Sequence, residues 1–284
     1  MLRIVSRGLA IAAIVVATCS SKIYAENISS KYALLVGINE TSQPNMIKLR
    51  YAEKDATDFG NLLMASGYEV DLLLGENATE AAIRAKLKGV SKKGSAEGVG
   101  LFGRGAEVPK KGSVYIASDA KVQPALDSDG KRIFKTDGTA LTEFDLNSQI
   151  SISSVIDEFA ICKAGNRVLF TDCCRDEPPR SRAFGHDSAR SASALPRQTA
   201  VLSSCSMGEQ AFETDELRQD ELRQGVFVWA LLRVLAKQKA KKASTMGIIG
   251  DRVHFEIKDC FNKLDTNAKQ SPQLFLNGFV DLQL

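Results

Sequence analysis

At 284 residues the chain is long enough for one large domain or two small ones, and its formal net charge of +3 is small for that length. An apolar fraction of 44% and a charged fraction of 25% are ordinary for a folded protein, so a core of normal size can be buried. The weak charge, with no basic stripe interleaved with aromatics, gives no reason to invoke nucleic acid.

The N-terminus reads as a leader and not as part of the fold. Arg3 and Arg7 precede a short apolar run over 9–17, a charged segment followed by a hydrophobic one too short to span a bilayer comfortably. One reading is a signal peptide over 1–25, cleaved after Ala25, with an exported, periplasmic or extracellular product. The other is a lipoprotein signal, Val16-Ala17-Thr18 leading to a lipid anchor at Cys19, to which Thr18 is a poor fit. No membrane span is expected in the rest.

Beyond the leader, short apolar runs alternate with helical patterns. Residues 31–39 (KYALLVGIN) form a buried-strand candidate. Residues 49–66 have helical spacing, with Leu49, Ala52, Ala56, Phe59, Leu62 and Leu63 on one face and Gly67 as the stop. A strand is expected over 68–74 and a helix over 78–90, with Asn77 as its N-cap. Residues 99–102 make a short strand flanked by glycines, and its composition predicts a weak one. Another strand is expected over 113–118.

Residues 121–142 hold two turn dipeptides, Asp129-Gly130 and Asp137-Gly138, and predict a hairpin-type excursion. A helix follows over 153–164. An apolar strand over 167–170 runs into Thr171-Asp172-Cys173-Cys174-Arg175. Residues 183–197, rich in Ser, Arg and Pro, read as a mobile loop. A strand over 200–204, helices over 226–235 and 248–264, and a final strand over 274–276 complete the chain. Asp215-Glu216-Leu217-Arg218-Gln219 recurs at once as Asp220-Glu221-Leu222-Arg223-Gln224, which is too short for a solenoid and reads as an insertion in a surface loop. The alternation predicts an α/β fold, a mostly parallel central sheet flanked by helices on both faces. Sites in such sheets form at the carboxyl ends of strands, here the glycine turn after Phe102 and the cysteine turn after Phe170.

The cysteines are Cys19, Cys162, Cys173, Cys174, Cys205 and Cys260. Their spacing is not a disulfide framework, and with no CxxC pair no metal or other cofactor is expected. Cys174 is the candidate for chemistry. It follows a buried strand and precedes Arg175, whose charge would lower the thiol pKa. The plain alternative is a buried, inert cysteine. Asp127-Ser128-Asp129-Gly130 lacks the spacing and closing Glu of a calcium loop. Residues 237–242 read as a solvated basic segment.

Several of these stretches resemble caspase and metacaspase-like domains. Residues 31–39 followed by Leu49-Arg50-Tyr51-Ala52-Glu53-Lys54-Asp55-Ala56 look like their opening strand and first helix. Leu169-Phe170-Thr171-Asp172-Cys173-Cys174-Arg175 resembles their nucleophile strand. Leu202-Ser203-Ser204-Cys205 with Glu209-Gln210-Ala211, and then Gly225-Val226-Phe227, resemble the strand, loop and helix that follow. The blocks come in family order and imply a single caspase-like peptidase domain over 30–284.

The resemblance implies a Cys-His dyad, with Cys174 as nucleophile. It implies a substrate-binding role for Asp172, an acidic pocket that takes a basic side chain, with Cys205 beside it. The family's histidine sits in Ser-Gly-His-Gly. The matching place here reads Phe102-Gly103-Arg104-Gly105, so both glycines are kept and Arg104 stands at the histidine position. Gly105 would offer a backbone N–H to an oxyanion. An arginine stays protonated and cannot accept the thiol proton, and general acid–base help is typically worth about 10²–10⁴-fold. The expectation is therefore an inactive or very weak peptidase that binds basic peptide segments or a partner. The alternative is an active endopeptidase cleaving after Arg or Lys, with His186 as an unorthodox base. A thiol-redox or purely structural protein is the third reading. His254 reads as a helix-face residue.

Overall fold

The computed structural model describes residues 31–43, 48–90, 96–108, 112–127, 129–134, 136, 138–145, 148–173, 195–206, 208–214, 223–239, 245–263, 269–282 and 284. The expected leader, Cys19, Cys174, Arg175, His186 and most of the tandem repeat lie outside these residues.

A six-stranded sheet forms the centre. Its strands are β1 (Lys31–Gly37), β2 (Tyr68–Leu74), β3 (Ala96–Gly103), β9 (Asn166–Cys173), β10 (Thr199–Ser203) and β13 (Gln273–Asn277), in the spatial order β13-β10-β9-β3-β1-β2. All neighbours are parallel except β13, which runs antiparallel to β10 at one edge. Parallel strands need crossovers, and helices supply them.

Side-chain alternation sorts the helices to the two faces. Along β1, Ala33 and Leu35 point into one apolar cluster while Tyr32, Leu34 and Val36 point into another. The first cluster is closed by α1 (Ala52–Met64), α4 (Val226–Lys239) and α5 (Met246–Lys263). The second is closed by α2 (Glu80–Val90) and α3 (Ile152–Ile161). The expected sheet with helices on both faces is what forms.

Several expectations need correction in detail. The strand before Arg104 is not short: β3 runs for eight residues and lies between β1 and β9. Its Gly100 reflects packing, because a Cβ there would stand 2.6 Å from the Phe102 ring and 2.8 Å from Leu35. Asn77 does not cap α2. It lies in a 3-10 turn, and Thr79 Oγ1 accepts from Ala82 N at 3.2 Å. The strand expected over 113–118 is β5 (Gly112–Ile116), outside the main sheet. It pairs antiparallel with β4 (Gly105–Val108) and β8 (Gln149–Ser151), neither of which was expected. The hairpin excursion is present, with β6 (Val122–Pro124) paired to β7 (Thr142–Phe144) and bridges Leu126–Arg132 and Phe134–Ala140. Gln224, the last residue of the repeat, is not loop. With Gly225 it forms β12 (Gln224–Gly225), paired to β11 (Glu213–Thr214). Among the described residues no helix is long and apolar enough to cross a membrane.

Candidate functional site

The carboxyl ends of β3 and β9 build the candidate site. The two strands pair in register over their full length and end together, with Gly103 opposite Cys173. One residue further on in sequence are Arg104 and Cys174, and Cys174 lies outside the described residues.

The turn that carries Arg104 is firmly held. The Phe102 carbonyl accepts from Ile38 N at 3.1 Å and from the buried Tyr115 hydroxyl at 2.8 Å. Gly103 has φ of +149°, which an L side chain rarely adopts, and a Cβ there would meet Ile38 O and Tyr115 Oη at 3.1 Å. Arg104 is half-buried, and its carbonyl accepts from Ile116 N at 2.9 Å. Bonded and non-bonded pairs alternate in an antiparallel ladder. The Arg104–Ile116 bond therefore makes Gly105 and Tyr115 a non-bonded pair, and the Gly105 N–H is directed away from β5. Gly105 packs on Cys173, where a Cβ would stand 2.7 Å from Sγ. Burial, then the nearby Cys173 and Glu53, raise the Tyr115 pKa well above the usual phenol value. Tyr115 is thus a neutral donor.

Asp172 is the penultimate residue of β9 and is 9% exposed. Two residues on from Phe170, it shares that residue's α1 face of the sheet, where it meets two carboxylates that the sequence did not single out. Asp55 comes from α1 and is 2% exposed. Its Oδ1 and Oδ2 accept from Gly225 N at 3.3 and 3.0 Å. Glu213 comes from β11, and its two oxygens accept from Arg50 N at 2.9 Å and Tyr51 N at 3.0 Å. Glu213 thereby satisfies N–H groups at the start of α1, where Tyr51 provides no side-chain cap. A small cleft is lined by these three carboxylates, by Phe102, Gly103 and Gly225, and by the apolar Leu49, Ala52, Ala211 and Phe212.

The electrostatics follow from burying like charges together. Burial pushes the Asp172 carboxyl up to about 7. The Ser204 hydroxyl opposes the rise and the Glu213 charge adds to it. Ser204 Oγ is buried and makes no well-formed hydrogen bond, so its opposition is weak. Burial also raises Asp55 well above the usual carboxylate range, the Asp172 charge reinforces this, and the Gly225 N–H works against it. No ion pair meets Asp172 or Asp55 among the described residues. A cation entering the cleft would favour their ionised forms.

The remaining expected residues fall elsewhere. Cys205 is fully buried, with its thiol directed at the carbonyls of Cys173 and Glu209, both at 3.5 Å, and it is not among the described residues that line the cleft. The described cysteines, Cys162, Cys173, Cys205 and Cys260, are all buried, and no disulfide joins any of them. His254 is an exposed residue of α5 beside Phe255, away from the cleft. Among the described residues no cluster of His, Cys, Asp and Glu could hold a metal ion.

A family model described as the Caspase domain matches residues 30–281. No curated protein matches the chain significantly.

Proposed function

The chain belongs to the caspase-domain family of cysteine-peptidase-like proteins, and on that premise we propose that it binds peptide or protein segments that present a basic side chain, with amide hydrolysis absent or very weak. The reading rests on one observation above all: Asp172, two residues before Cys174, lines an acidic cleft at the end of β9 together with Asp55 and Glu213. An arginine or lysine head would meet carboxylates there, and Leu49, Ala52, Phe102 and Phe212 would flank its aliphatic stem. Charge-assisted pairing of carboxylate with guanidinium is the strong form of this contact.

In the reading, Cys174 is the retained nucleophile, and the Gly105 N–H serves a developing oxyanion. Arg104 stands in the family's histidine position. It can favour a thiolate by charge but cannot take a proton from the thiol or return one to a leaving amine. The chain therefore keeps recognition and loses the acid–base step. Export of the mature protein, by signal peptide or by a lipid anchor at Cys19, is part of the same proposal and is motivated by residues 1–25.

Incubation of the purified protein with an Arg-terminated fluorogenic peptide, and in parallel with an Arg-directed covalent thiol probe, tests this. Labelling at Cys174 without turnover supports it. Efficient turnover by the parent protein would overturn the loss of catalysis and direct the search for a base to His186. Neither labelling nor binding would remove the basic-residue pocket.

A further inference from the structure

Gly225 has a role in the cleft that its own chemistry makes visible. It has no side chain, yet the space where one would be is sharply defined. A Cβ built on it would stand 2.7 Å from Asp55 Oδ2 and 3.1 Å from Asp172 Oδ2, and the three nearest heavy atoms all belong to these two carboxylates. The bare α-carbon is therefore the surface over which Asp55 and Asp172 face each other. Its N–H is the donor that fixes Asp55, at 3.0 Å to Oδ2 and 3.3 Å to Oδ1. Its position is set from both sides: β12 pairs Gly225 with Glu213, and α4 begins at the next residue.

Two facts separate this from a glycine kept for backbone shape. Gly225 is absent from the positive-φ residues of the chain, so an alanine has no conformational objection there. The obstruction is not a packed apolar wall either, but the oxygens of the two acids that the proposed ligand would need. Asp172 is nine-tenths buried and lines the cleft with no ion pair among the described residues. Two acids held this way on one cleft, with no ion pair among the described residues, are arranged for a cation from outside the chain.

We propose that Gly225 is a specificity-determining residue of the cleft: its missing side chain lets both Asp55 and Asp172 close onto its α-carbon, and its amide holds Asp55 in place, so that the two acids converge on a cationic head in the cleft. This rests on the basic-residue reading above. A methyl group at 225 would push the two carboxylates apart and cover the ground they share. The effect falls on cationic ligands, because an uncharged ligand has no use for either acid.

The test compares binding of an Arg-terminated peptide aldehyde with that of its Leu-terminated counterpart, by calorimetry, in four proteins: the parent, Gly225→Ala, Asp55→Ala, and the Asp55→Ala/Gly225→Ala double variant. Gly225→Ala should weaken the Arg ligand by about tenfold or more, the scale of a lost charged hydrogen bond, and leave the Leu ligand unchanged. If the clash with Asp55 prevents that variant from folding, the double variant relieves it. In the Asp55→Ala background the added methyl still stands against Asp172, and should weaken the Arg ligand further than Asp55→Ala does alone. Equal Arg affinity with and without the methyl, in the parent or in the Asp55→Ala background, overturns the role of Gly225 and leaves the acidic pocket standing. Equal loss of both ligands overturns it too, by reducing it to a general packing effect. A parent protein that does not prefer the Arg ligand overturns the pocket and the role of Gly225 together.

Discussion

Gly105 of β4 lies directly on the thiol of Cys173 of β9, so close that a Cβ at residue 105 would stand 2.7 Å from Sγ. The contact locks the glycine after Arg104 to the residue before Cys174, and so joins the ends of the two strands that lead to the candidate dyad positions. It yields a first prediction. Gly105→Ala should destabilise the fold by about 1–3 kcal/mol, the usual cost of overpacking. Cys173→Ala in that background should recover part of the loss, but not all, because Val114 O also lies 2.9 Å from the added atom. Denaturant melts of the two single variants and the double variant check this. Strictly additive losses would mean that the two residues are not in contact.

The cysteines should separate by reactivity. Cys162, Cys173, Cys205 and Cys260 are 5%, 4%, 0% and 2% exposed, and burial also raises the Cys260 pKa. A thiol reacts as the exposed thiolate, so these four should alkylate slowly in the folded protein. Cys174, proposed as the nucleophile, should label first with iodoacetamide, and peptide mapping of a short time course reads the order directly. Uniform labelling of all five sites under native conditions would argue against a special thiol at 174.

Asp172 gives a pH signature of definite sign. Burial holds its folded-state pKa at about 7, above the ordinary carboxylate value of 3.8. Between those values the folded state binds more protons than the unfolded one, so stability falls as pH rises from about 4 to about 7 and then levels off. Asp172→Asn removes this cost. The variant should match the parent near pH 4 and exceed it by roughly 1–4 kcal/mol at pH 8, since each pH step between the two values costs the parent at most about 1.4 kcal/mol. Ligand binding runs the other way. A cationic ligand requires the ionised acid, so the parent's affinity for an Arg-terminated ligand should climb through about pH 6–7. The Asn variant should bind weakly and lack that climb. A parent whose binding is flat across this range would take Asp172 out of the site.

Much of this arrangement was legible in the sequence, and the exceptions have physical causes. The strand over 68–74 and the helices of both faces follow from periodicity, because each packs apolar residues at a regular spacing against one of the two clusters. The β4–β5–β8 sheet was missed because Gly105–Val108 and Gln149–Ser151 are too short and too polar to carry a period. Asp55 was within reach: it lies three residues from Ala52 and four from Phe59, a charge inside the apolar stripe of α1, where only a partner or a function keeps an acid. Glu213 was not. Its hydrogen bonds reach N–H groups 163 and 162 residues away in the chain, and no local pattern encodes that. The strand leading to Arg104 read as weak because its glycines were counted as lost side chains. In the fold, Gly100 makes room for the ring of Phe102 and the methyls of Leu35.

The full length of β3 makes the missing base directly testable. Arg104→His should put an imidazole at the end of an eight-residue central strand, on a turn fixed by two donors to the Phe102 carbonyl and by the φ of Gly103. The site does not need to be rebuilt to hold it. In the proposed mechanism the imidazole takes the proton of Cys174 and returns it to the leaving amine, the two transfers that a guanidinium cannot perform. Hydrolysis of Arg- or Lys-terminated peptides should rise above the parent, up to about the 10²–10⁴-fold that acid–base assistance supplies. A further Cys174→Ala change should abolish the gain. Binding of the peptide aldehyde should shift far less than turnover, because the carboxylates of the cleft are untouched, so the effect belongs in kcat and not in KM. A folded Arg104→His protein that binds the ligand but turns over no faster than the parent would place the defect beyond residue 104. The placement of the base would then be the thing to question, since an ångström of error there costs about 10²-fold.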